Sequence, residues 1–84
     1  DKTSILFSIK DRVGALHDML TPFRDNNINL TKIESRPTKL RAWEYIFFVD
    51  FLGHVEDENV KRALKELEKE CLLLKILGSY PRSE

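Results

Sequence analysis

A run of apolar residues at a period of two, two apolar stripes at a helical period, and the order in which extended and helical segments follow one another predict an α+β fold of the ferredoxin-like type. In that βαββαβ arrangement two helices cover one face of a four-stranded antiparallel sheet. Ile5, Phe7 and Ile9 alternate with Leu6, Ser8 and Lys10, which predicts a first strand buried mainly on one face. Leu16, Met19, Leu20 and Phe23 then recur at i, i+3, i+4 and i+7 and place an apolar stripe along a first helix. Pro22 lies late in that stripe and removes the amide that would bond to residue 18, so the helix is expected to kink or tighten before ending near Asn26 and Asn27.

Residues 29–36, closed by Pro37, are extended in pattern but too polar for a strand covered on both faces, which assigns them to the sheet edge. Residues 38–42 are short and polar enough for a hairpin-type connection. Residues 44–52 carry aromatic and β-branched side chains at both parities, as a central strand does. Val60, Ala63, Leu64 and Leu67 form a second helical stripe within residues 57–70, with acidic residues at its start and Glu58 four positions before Arg62. Residues 72–77 supply the last strand, and residues 79–84 read as a loose tail.

The 84 residues form one folding unit whose thin core would gain from a partner surface, so oligomerisation is expected. Fourteen Lys and Arg balance fourteen Asp and Glu, leaving no net field to draw the chain to phosphate backbones or anionic lipid; a small zwitterionic ligand fits better than nucleic acid or membrane. Cys71 is the only cysteine, and His17 and His54 fall in different elements, so neither a disulfide nor metal-ligand spacing is present and no metal or cofactor is expected. A reducing cytoplasm is the expected location. The amino terminus, Asp-Lys-Thr-Ser, resembles no signal peptide and suggests a piece excised from a longer chain.

The topology hosts many activities, and the choice among them rests on residues. Phe48-Val49-Asp50-Phe51 matches the end of an RNA-binding strand motif, but Trp43-Glu44-Tyr45 stands where that motif has a basic residue and glycines. Core filling therefore explains these aromatics better than a base-stacking platform. No nucleophile has a base at useful spacing; the strand neighbours of Ser35, Glu34 and Arg36, point to the opposite face from it. As an isolated chain the protein is not expected to be an enzyme. The specific signal is the corner Lys10-Asp-Arg-Val-Gly-Ala-Leu16, where a strand passes into a helix through a glycine. Amides at a helix start attract a carboxylate, and Gly14 allows both close backbone approach and an unusual φ. From this segment alone a tight turn without a ligand remains the simpler reading.

Gly14-Ala15-Leu16, followed by Asn29-Leu30-Thr31-Lys32-Ile33-Glu34-Ser35-Arg36-Pro37, resembles the paired motifs of ACT domains that bind phenylalanine. Such domains regulate aromatic amino acid hydroxylases and prephenate dehydratases, the latter with or without a fused chorismate mutase. The ending Leu77-Gly78-Ser79-Tyr80-Pro81-Arg82 is similar to that of the dehydratases. The resemblance runs from Thr3 to Arg82 and includes the Pro22-Phe23 pair. It implies the fold already read from the pattern, a side-by-side homodimer, L-phenylalanine as effector, feedback inhibition, and a catalytic domain covalently linked elsewhere in the full-length chain. It further implies ligand contacts from Val13, Gly14, Ala15 and Leu16 of one subunit, completed by Asn29 and Leu30 of its neighbour. Glu34, Ser35, Arg36 and Pro37 match the second motif, with shaping of the edge strand as their expected role. His17 departs from the family, where an aliphatic or aromatic residue commonly follows Gly-Ala-Leu, and is expected to be a partly exposed helix residue.

Overall fold

The computed structural model describes residues 1–10, 13–37 and 44–80. Six elements follow in the order β1 (Lys2–Lys10), α1 (Ala15–Asp25), β2 (Leu30–Pro37), β3 (Glu44–Leu52), α2 (Glu58–Glu70) and β4 (Leu73–Tyr80). The four strands form one antiparallel sheet in the order β2-β3-β1-β4. The polar segment is thus an edge strand and the aromatic one is central, as their compositions predict. The expected hairpin connection at residues 38–42 lies outside the described residues, as do Asp11, Arg12 and residues 81–84.

Parity decides what the sheet buries. Thr3, Ile5, Phe7 and Ile9 of β1 stand opposite Phe51, Val49, Phe47 and Tyr45 of β3, so these residues share the face that the helices cover. Met19 and Phe23 of α1, and Val60, Ala63 and Leu67 of α2, complete a core in which Ile5, Phe7, Phe51, Val60, Ala63 and Leu67 are fully buried. Phe7 stacks on Phe47 with centroids 5.5 Å apart, and Phe23 meets Phe51 at 5.6 Å. Burial of each such side chain contributes about 1.5–3 kcal/mol, enough to fix the register of the central strands.

Helix α1 continues through Pro22, whose ring is buried, and ends where Asn26 and Asn27 predict. Asn27 adopts φ 57°, its amide donates to Arg24 O at 3.2 Å, and the Ile28 amide donates to Phe23 O at 2.9 Å. This pair of bonds with a left-handed residue is a Schellman stop, closed by the apolar side chains of Ile28 and Phe23 in the core. Asn26 ties the end of α1 to α2: its backbone carbonyl accepts from Asn59 Nδ2 at 3.1 Å and its Oδ1 from Arg62 Nε at 3.2 Å.

Strand β4 corrects the expectation of a strand over residues 72–77 followed by a loose tail. It runs on to Tyr80, with a bulge at Leu77 between the pairs Ile5/Ile76 and Ser4/Gly78. Gly78 and Ser79 look like strand breakers, but a partly buried polar chain holds them. The Val55 amide donates to Ser79 Oγ (3.3 Å), Ser79 Oγ lies 2.6 Å from Thr3 Oγ1, and Thr3 Oγ1 donates to Gly53 O (2.6 Å). Because Thr3 donates onward, the Ser79 hydroxyl is the donor between the two side chains.

Candidate functional site

The corner after β1 is built around Gly14. It has φ 78° and ψ 3°, the left-handed region in which a side chain is strained, and it stands as N-cap of α1 with its carbonyl accepting from the Asp18 amide at 3.0 Å. A Cβ at this position would meet no atom of the described residues within 4 Å. The backbone is therefore presented to open space. The amides of Ala15, Leu16 and His17 precede the first residue that can bond within the helix, so they lie at its positive end.

That space is a cleft of about 320 Å³ lined by Ile9, Gly14, Ala15, Leu16, His17, Ser35, Tyr45 and Phe47. Three elements position it. β1 ends in Ile9, β3 contributes Tyr45 and Phe47 on the same face, and β2 adds Ser35 opposite Phe47. The Phe7–Phe47 stack and the burial of Ile9 fix the apolar floor, while Leu16 is half exposed at the mouth. His17 stands at the rim, largely exposed, with Nδ1 3.7 Å from Asp18 Oδ1. Two other hollows have the same volume. One lies between the helices among Asp18, Glu66, Lys69 and Glu70, the other on the sheet face away from the helices among Lys32, Glu34, Arg36 and Asp50. Of these three hollows among the described residues, the cleft at Gly14 joins helix-start amides to an apolar wall, the combination that an amino acid with a large side chain requires.

The residues expected from the sequence divide. Gly14, Ala15 and Leu16 meet Ser35 in one cleft of one chain, while Val13 is fully exposed beside the turn. Asn29 and Leu30 lie at the other end of β2: the Asn29 carbonyl accepts from the Leu52 amide at 3.0 Å, and Leu30 pairs with Phe51. The five residue steps from Leu30 to Ser35 span roughly 16 Å of strand, so Asn29 and Leu30 are remote from their own chain's cleft.

A register shift between Leu30 and Lys32 decides the rest of the second motif. It moves Ile33 and Ser35 onto the face of Leu30 and turns Lys32, Glu34 and Arg36 to the opposite face. There Lys32 Nζ sits 2.9 Å and Arg36 Nη2 3.7 Å from the Glu34 carboxylate, and the Arg36 guanidinium lies over the Phe48 ring at 5.7 Å. Hydrogen bonding to Lys32 holds the Glu34 carboxyl below its ordinary range and raises the Lys32 ammonium. Glu34 and Arg36 thus lie on the face away from the cleft, and among the described side chains of this motif Ser35 lines it. Pro37 pairs with Tyr45 through its backbone position. Ile9, Tyr45 and Phe47 were not anticipated; their common parity across β1 and β3 was the available signal.

The rival chemistries meet definite geometry. Phe48 and Phe51 of the RNA-like motif lie on opposite faces of β3, with Phe51 buried, so they form no stacking platform. Among the described residues no hydrogen bond joins Ser35 to His17, and no group of three or more His, Cys, Asp or Glu is placed to hold a metal. Burial pushes the Cys71 thiol up. Among the described residues, no helix is long and apolar enough to cross a membrane.

Residues 3–69 match the ACT domain family, and the chain belongs to that family. Within it the likeness is to prephenate dehydratases. The chain is 59% identical over 83 residues, 99% of its length, to the bifunctional chorismate mutase/prephenate dehydratase of Aquifex aeolicus (strain VF5), and covers 23% of that protein. Among solved structures, the prephenate dehydratase of Arthrobacter aurescens in complex with L-Phe superposes with TM-score 0.89 at 38% identity, over 96% of this chain and 27% of that one. GqqA, described as a novel type of quorum quenching acylase, superposes with TM-score 0.93 at 33% identity, over 98% of this chain and 42% of that one. The chain therefore spans about a quarter of the length of the curated relatives it matches.

Proposed function

We propose that this chain is the effector-sensing domain of a prephenate dehydratase, that it binds L-phenylalanine at the Gly14 cleft, and that it does so as a side-by-side homodimer. The cleft carries this reading. Its helix-start amides suit the ligand's carboxylate, and Ile9, Leu16, Tyr45 and Phe47 suit a phenyl ring. The likeness to dehydratases, one of them solved with L-Phe, supports the choice of ligand.

In the proposed assembly the β2 edges of two chains meet, and Asn29 and Leu30 of each partner close the other's cleft and bind the ammonium end. The remoteness of these two residues from their own cleft favours a contribution across the dimer. Val13, exposed at the lip, closes over the ligand. The catalytic reaction, loss of water and carbon dioxide from prephenate, belongs to a separate domain of the full-length enzyme. Phenylalanine inhibits that domain by favouring one quaternary arrangement, with a coupling of about 1–3 kcal/mol as its usual ceiling.

Calorimetry and thermal unfolding with a panel of free amino acids test the proposal. L-Phenylalanine at about a hundred times its dissociation constant should stabilise the fold by about 2.7 kcal/mol. It should also tighten the dimer in a sedimentation dilution series, because it contacts both chains. Absence of heat and of a melting shift at millimolar phenylalanine, with the fold intact, would overturn the assignment of ligand. Full-affinity binding to a monomer would overturn the shared site alone.

A further inference from the structure

A free amino acid presents a carboxylate, a side chain and an ammonium, and the fold divides them between two chains. The carboxylate and the ring fall to one chain. The amides of Ala15, Leu16 and His17 stand at the positive end of α1, beside the apolar wall of Ile9, Tyr45 and Phe47. Gly14, with no described atom within 4 Å of where its Cβ would be, leaves the anion a clear approach to those amides. The ammonium falls to the other chain, because Asn29 and Leu30 sit at the end of β2 away from their own cleft. The Asn29 carbonyl already accepts from the Leu52 amide at 3.0 Å, so its exposed side-chain oxygen is the freer acceptor for a ligand held by a neighbour.

We propose, on the basis of the shared site above, that the Gly14 cleft also takes aromatic carboxylates that carry no ammonium, 3-arylpropanoates and aromatic 2-oxo acids, and that these fill it without joining one chain to the next. Both groups that a single chain reads, the anion and the ring, are present in such a ligand. Hydrogen bonds from amides to an ionised carboxylate are stronger than those between neutral groups, so the missing ammonium does not remove the main polar contact. A ligand shifts an association equilibrium only through its difference in affinity for the two forms. L-Phenylalanine, held by both chains, favours the dimer, whereas an aromatic carboxylate held by one chain is neutral to it. Such a ligand therefore competes with the effector and cancels its effect on assembly. The 2-oxo acid left when prephenate loses water and carbon dioxide belongs to this class, so in the full-length enzyme the product of the catalytic step opposes the amino acid that inhibits it.

Calorimetry on the 84-residue chain with 3-phenylpropanoate, phenethylamine and L-phenylalanine tests this, alongside sedimentation over a dilution series. 3-Phenylpropanoate at about ten times its dissociation constant should raise the apparent dissociation constant of L-phenylalanine about elevenfold, and should leave that of the dimer within about twofold. Phenethylamine, which keeps the ring and the ammonium but lacks the carboxylate, should bind at least about tenfold more weakly than 3-phenylpropanoate. Asn29→Ala should weaken L-phenylalanine at least about tenfold and 3-phenylpropanoate no more than about threefold, whereas Gly14→Ala should weaken both. Failure of 3-phenylpropanoate to displace L-phenylalanine, tightening of the dimer by it, phenethylamine binding as well as it does, or an equal loss of both ligands in Asn29→Ala each overturns the proposal. If 3-phenylpropanoate binds and L-phenylalanine does not, the effector assignment falls and the carboxylate site stands. Binding of neither overturns both.

Discussion

The two strand-to-helix corners of this fold, after β1 and after β3, each turn through a glycine with positive φ, and they are used in opposite ways. At Gly53, φ 128°, a Cβ would lie 2.9 Å from Val60 Cγ2 and 3.7 Å from Asp57 Oδ2. Its amide donates to Asp1 O at 2.8 Å and its carbonyl accepts from Thr3 Oγ1. Asp57 finishes the corner: its Oδ2 accepts from the His54 amide at 2.9 Å, and its carbonyl accepts from the Lys61 amide at 2.9 Å. At Gly14 the same backbone freedom faces a cleft, with no described atom where the side chain would be. One glycine is required by the protein's own packing and the other leaves a space that a ligand can use. The need for glycine is therefore no mark of function by itself. What lies in front of it is.

The largest effect should come from filling the closed corner. Gly53→Ala combines a strained φ, about 1–3 kcal/mol, with overpacking against the buried Val60, about 1–3 kcal/mol, and should destabilise the fold by about 2–6 kcal/mol in urea unfolding. A loss below about 1 kcal/mol would mean that this corner is as open as the other. Next is the polar chain that pins the closed corner to the end of β4. Ser79→Ala leaves the Val55 amide and the Thr3 hydroxyl without the partner they share, and should cost about 1–3 kcal/mol while phenylalanine affinity stays within about twofold. The smallest effect on stability belongs to the open corner. Gly14→Ala meets no clash and should lose only about 1–2 kcal/mol from its left-handed backbone, yet it sets a methyl group where the ligand approaches. Its phenylalanine affinity should fall at least about tenfold by calorimetry. Unchanged binding in a folded Gly14→Ala would move the ligand away from this corner.

Most of the fold was legible in the sequence because its signals are local and periodic. The stripes at Leu16, Met19 and Phe23 and at Val60, Leu64 and Leu67 specify helices wherever they pack, and Asn26-Asn27 carries its own stop. The length of β4 was not legible. Gly78 and Ser79 are poor strand formers, and what holds them is Thr3, seventy-six positions away in the sequence. At the cleft, the Gly14-Ala15-Leu16 turn announced itself through glycine and helix-start chemistry, whereas Tyr45 and Phe47 looked like any aromatic pair in a central strand.

The sequence by itself determined the element order, the edge and central strands, and the glycine corner between the first strand and the first helix, since each follows from chain periodicity or from one residue's conformational freedom. Only the tertiary structure decided which side of β2 faces that corner. One register shift after Leu30 reverses the parity of every residue beyond it, bringing Ser35 to the cleft and sending Glu34 and Arg36 to the face away from the helices. A bulge is set by pairing with a neighbouring strand, and β2 alone carries no trace of where β3 places it.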